Sequence, residues 1–149
     1  MPLPGSAGLR EAAMRRSTFM TLSAATSLVY GLAGLLATGQ LAAAYGVTLD
    51  QQSEIVVKFI AASYLGYATM NWLARHTQDL VARRAITLGN FTGWAVSLAV
   101  SGYALTTGFA TAGGWGALAM QAVFTAGWGY YAFIREAARQ SALGDVAAR

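Results

Sequence analysis

Four apolar runs of roughly 20 residues, at 17–38, 54–74, 85–107 and 115–134, follow one another along the chain, and Lys58 is the one basic interruption within them. At 1.5 Å of rise per residue, such a run spans a hydrocarbon core of about 30 Å. In lipid every backbone polar group must be satisfied within its own segment or a closed barrel, so runs of this length predict helices. The expected fold is therefore all-α: a polytopic membrane protein whose four transmembrane helices form an antiparallel bundle over 17–134. Segments 1–16 and 135–149 are expected as cytoplasmic ends.

Composition agrees with that reading. Of 149 residues, 56% are hydrophobic and 11% charged, whereas ordinary soluble domains carry about 45–50% apolar and about 25% charged residues. The chain has no cysteine, which excludes a disulfide scaffold, a thiol redox enzyme and an iron–sulfur protein, as well as a cysteine-bound zinc ribbon. High apolar content with modest net charge also argues against disorder.

The placement of charge says more than its total of +4. Arg10, Arg15 and Arg16 precede the first run; Arg75, Arg83 and Arg84 lie between the second and third; Arg135, Arg139 and Arg149 follow the fourth. The loops at 39–53 and 108–114 hold no basic residue. Cytoplasmic flanks retain Lys and Arg, so both termini are expected on the cytoplasmic side. Nucleic-acid binding is not expected, because that needs a contiguous basic face and these arginines flank apolar runs. Arg15-Arg16, the first run and Ala42-Ala43-Ala44 together imitate a cleavable signal peptide. The run exceeds the usual apolar core of about 7–15 residues, which favours a retained helix.

Helices in lipid associate through close packing of small side chains rather than by expelling water. Gly89, Gly93, Ser97 and Ser101 recur at four-residue intervals in the third run, and Ser23, Ser27 and Gly31 do so in the first. These are the expected packing ridges. Trp72 with Tyr130 and Tyr131 at one boundary, and Tyr45, Phe109 and Trp115 at the other, match aromatic belts. Trp94 falls near mid-run and is expected in the helix core. Asn71 and Asn90, each about one turn inside a helix end, are expected to hydrogen-bond between helices.

A charge inside a span is costly, so Lys58 calls for a reason. Glu54 precedes it by four residues, the spacing that pairs Glu with Lys on one helix face, and Asp50 is a second carboxylate within reach of the lysine. Tyr30, Tyr103 and Gln121 fall at similar depth. Together, Lys58, Glu54, Tyr103, Gln121 and Tyr30 are the candidate lining of an outer polar pocket for a quinone, a lipid head group or a small solute. The lone histidine, His76, has one Asp three residues on, short of the three or four ligands a metal site needs. One histidine also excludes bis-histidine haem. No P-loop, nucleophile elbow or dinucleotide fingerprint is present, so no catalytic residue is expected.

The stretches Tyr30-Gly31-Leu32-Ala33-Gly34-Leu35, Tyr45-Gly46-Val47-Thr48-Leu49-Asp50 and Trp72-Leu73-Ala74-Arg75 resemble the DoxX-like group of small four-helix bacterial membrane proteins. The resemblance covers roughly residues 15–136 in architecture. It implies an inner-membrane setting with a quinone-linked or accessory role, and it carries no catalytic residue. Two expectations result. The first is a non-enzymatic accessory or structural subunit that assembles with other membrane subunits or with itself. The alternative is a small-molecule binder that uses the outer polar residues.

Overall fold

The computed structural model describes the backbone of residues 6–108 and 113–135, with side chains from Arg16 onward. Expectations that rest on Arg10, Arg15, Phe109, Arg139 and Arg149 lie outside the described side chains. Among the described residues the chain is all-helical: α1 (Ser6–Leu36), α2 (Thr38–Ala44), α3 (Gln51–Ala74), α4 (Leu80–Thr106) and α5 (Gly114–Gly129), which continues as a π-helical turn over Tyr130–Ile134. The expected runs fall on α1, α3, α4 and α5 with its π turn. Two features differ from expectation. Helix α1 begins at Ser6 rather than near 17, because Leu9, Glu11, Ala12, Ala13 and Met14 are strong helix formers and no breaker separates them from the apolar run. The apolar stretch after 38 forms the separate helix α2, set off from α1 by Ala37 at φ −138° and ψ 40°.

The helix ends explain themselves chemically. Asp50 accepts from the Ser53 amide at 2.7 Å and caps α3, and Asp79 accepts from the Ala82 amide at 2.6 Å and caps α4. Each carboxylate satisfies an orphan N–H and meets the positive end of the helix dipole. Helix α2 closes differently. Val47 N–H donates to Ala42 C=O at 3.0 Å and Gly46 N–H to Ala43 C=O at 2.9 Å, the paired bonds of a Schellman turn. That turn puts Gly46 at φ +72°, where a Cβ is strained.

The chain divides into two compact units, 1–78 and 79–149. In the first, Gly34 faces Ala61, Asn71 reaches Ser23 and Ser17 reaches His76. Numbers that rise on α1 as they fall on α3 make the pair antiparallel. Its seam is lined by Met20, Ser23, Ala24 and Ser27 against Ala61, Ala68 and Asn71, all buried. Gly31 and Gly34 allow the closest approach: an added Cβ would lie 2.5 Å from Leu65 Cδ2 and 2.6 Å from Ala61 Cβ respectively.

In the second unit, Gly102 lies by Leu118, Trp94 by Phe124 and Phe91 by Phe133, so α4 and α5 are also antiparallel. The Trp94 and Phe124 rings stack at 4.7 Å and 18°, which accounts for Trp94 as core. The expected α4 ridge is only partly covered. Gly89 is exposed and a Cβ there would meet nothing within 4 Å, while Gly93, Ser97 and Ser101 are half-buried. Thr87, Asn90 and Trp94 are the buried residues of α4, and Trp94 meets α5 through its stack on Phe124.

One helix among the described residues, Arg16–Leu36, is long and apolar enough to cross a membrane, at 21 residues and mean hydropathy 1.6. A signal sequence or a soluble core helix passes the same test. The other helices are diluted by polar residues or cut short. Helix α3 carries Glu54, Lys58, Asn71 and two tyrosines, α4 opens with Arg83-Arg84, and α5 runs 16 residues before its pitch changes.

Candidate functional site

The five residues expected to line an outer pocket divide between the two units. In the first, Lys58 Nζ lies 2.7 Å from Glu54 Oε1, four residues away on the same face, and both side chains are nearly half exposed. The pair satisfies the lysine locally, as the spacing predicts. Asp50 is committed to its helix cap and does not serve the lysine. Tyr30 belongs to a phenol cluster. Its hydroxyl accepts from that of Tyr45 at 3.4 Å, and its ring lies 5.9 Å from that of Tyr64. Burial first, and then the bond to Tyr30, push the Tyr45 phenol well above its ordinary value of 10.0.

In the second unit, Tyr103 and Gln121 sit in opposite environments. Tyr103 is 65% exposed near the end of α4, while Gln121 is buried on α5. Gln121 Oε1 has no hydrogen-bond partner, and neither does Thr125 Oγ1 one turn further along the same helix. Gln121 Oε1 can only accept and the Thr125 hydroxyl can donate or accept, and a buried polar group of this kind costs about 1–3 kcal/mol when left unsatisfied. Among the described bonds, Asn71 Nδ2 donates to Ser23 Oγ at 3.4 Å, and Asn90 Nδ2 to the Ile86 carbonyl at 2.9 Å.

Sequence reading overlooked the opposite end of the first unit. The Arg75 guanidinium lies 3.7 Å from the centroid of the Trp72 ring and donates from Nη1 to the Trp72 carbonyl. His76 follows, its Nδ1 3.5 Å from Ser17 Oγ on α1. Arg16, the residue before Ser17, is 5% exposed. The available signal was an arginine three residues after a tryptophan at a helix end. A second case supports it: Arg135 lies 5.6 Å from the Tyr131 ring four residues earlier. No group of three or more His, Asp or Glu able to hold a metal occurs among the described residues.

Comparison with family models, with curated proteins and with solved structures found no match for this chain.

Proposed function

We propose that this chain is a small polytopic protein of the bacterial inner membrane, with four helical spans and both ends on the arginine-bearing cytoplasmic side. It acts there as a non-enzymatic accessory or structural subunit, joined to other membrane subunits or to copies of itself. The observation that carries the reading is extensive apolar exposure together with small polar residues buried at the helix contacts. Leu36, Val81, Leu73 and Phe59 are 72–82% exposed, whereas Ser23, Ser27, Asn71 and Asn90 are at most 1% exposed. In water this pattern loses the main driving force for folding. In lipid, exposed apolar side chains match their solvent, and small and polar residues belong at helix contacts. The resemblance to the DoxX-like group points to the same setting.

Topology is directly testable because the chain has no cysteine. An impermeant maleimide should label Thr48→Cys in intact spheroplasts and Gln78→Cys only after lysis. Equal labelling of both, or release of the chain by alkaline carbonate, refutes the membrane arrangement. Purification in mild detergent tests the subunit role: a monomer with no stoichiometric partner refutes it.

The unpaired Gln121 and Thr125 oxygens favour one second reading, a binding site for a small donor-bearing molecule such as a reduced quinone. Quinol retention by the purified chain that is lost in Gln121→Leu supports it. Equal retention by both proteins rejects it.

A further inference from the structure

Resting on the membrane reading, we propose that the inner end of the first unit binds the phosphate of an acidic phospholipid. Two dipeptides 59 positions apart, Arg16-Ser17 on α1 and Arg75-His76 after α3, meet there through the contact between Ser17 and His76. Their side chains carry two guanidiniums, a hydroxyl and an imidazole, the donor set that phosphate oxygens accept from.

Arg75 is already positioned for this role. Its guanidinium is held against the Trp72 ring, and its described partners are that ring and the Trp72 carbonyl rather than a carboxylate. Asp79, the nearest acid in sequence, is occupied by its helix cap. The positive charge of Arg75 therefore keeps donors for an anion, and holding it in place lowers the ordering cost of binding one. Trp72 is half exposed, and an indole at this depth prefers the boundary between head groups and acyl chains. Exposed Leu73, the next residue along the helix, offers apolar surface beside it. Arginines on the cytoplasmic side face the anionic leaflet, where each basic residue gains attraction to acidic head groups. A free phosphate shares the donor chemistry but has no use for the apolar surface.

The test uses the full chain in nanodiscs containing phosphatidylcholine with a minority of phosphatidylglycerol, released for native mass spectrometry. Wild type should retain phosphatidylglycerol in preference to phosphatidylcholine. Arg75→Gln should reduce that preference about tenfold, the loss of one charge-assisted contact, and Lys58→Gln at the other end of α3 should leave it unchanged. Equal retention of the two lipids by wild type overturns the site, as does an equal loss in both variants. Displacement of the retained lipid by millimolar inorganic phosphate reassigns the site to a soluble anion and overturns the lipid assignment. Carbonate extraction separates the two levels: a chain released by carbonate fails as a membrane protein, whereas an embedded chain without lipid preference fails only here.

Discussion

Replacing Gly34 by alanine isolates the closest approach between α1 and α3. The new Cβ would stand 2.6 Å from Ala61 Cβ, where carbon atoms settle at about 3.5–4.0 Å. Ala61 has no torsion with which to move its methyl aside, so the helices must part by about 1 Å. Over a seam that also buries Ser27, Ala24 and Ala68, such overpacking costs about 1–3 kcal/mol. The better helix propensity of alanine returns about 1 kcal/mol, which leaves a net loss of up to about 2 kcal/mol, centred on about 1 kcal/mol. Gly31→Ala should cost less, because its Cβ meets chiefly the mobile end of Leu65. Gly66→Ala and Gly89→Ala meet nothing within 4 Å and should be neutral or mildly stabilising. Equilibrium unfolding in mixed micelles, followed by far-ultraviolet circular dichroism, gives the ranking. Adding Ala61→Gly removes the atom that is struck, so the double variant should recover most of the Gly34→Ala loss. The reasoning fails if Gly34→Ala is as stable as wild type, or if Gly66→Ala costs as much.

Trp94→Ala removes a buried ring stacked on Phe124 and should destabilise the second unit by about 3–5 kcal/mol, with loss of near-ultraviolet circular dichroism. Asp79→Ala deletes the cap of α4 and should cost about 1 kcal/mol in the same unfolding assay. The Ser53 amide holds the Asp50 carboxyl below its ordinary value of 3.8. A lowered folded value means that the stabilisation is complete above the unfolded value and lost as pH falls through the folded one. Wild type should therefore lose stability relative to Asp50→Asn on acidification below about pH 4; parallel curves would reject the cap as its source. Gly46→Ala, at φ +72°, should cost about 1 kcal/mol, whereas Gly39→Ala, inside α2 with open space around it, should not destabilise.

Much of the helical layout was legible because hydropathy and helix termination are local. The break between the first two runs follows from glycine, aspartate and lost apolar character without knowledge of the neighbours, although it spans only 45–50 because 38–44 form α2. The Glu54 to Lys58 pair was legible for the same reason, being set by four-residue spacing on one helix. The packing face of α4 was not. That helix is apolar on every side, so no amphipathic stripe marks the covered face, and a regular series such as Gly89 to Ser101 competes equally with the line through Thr87, Asn90 and Trp94. The end formed by Ser17, His76 and Arg75 was hidden because its parts lie 59 residues apart and neither dipeptide is unusual alone.

The sequence by itself determined that the chain is helical and where its charges fall, since both depend on interactions within a turn or two of each residue. Tertiary structure decided which side of each helix is covered and which distant groups meet. Gly34 is a point of contact only because Ala61 arrives opposite it, and Arg75 becomes part of a donor cluster only because α1 runs antiparallel to α3. The physical reason is that apolar helices carry little directional preference of their own, so the pairing of complementary shapes and of polar side chains sets the final arrangement.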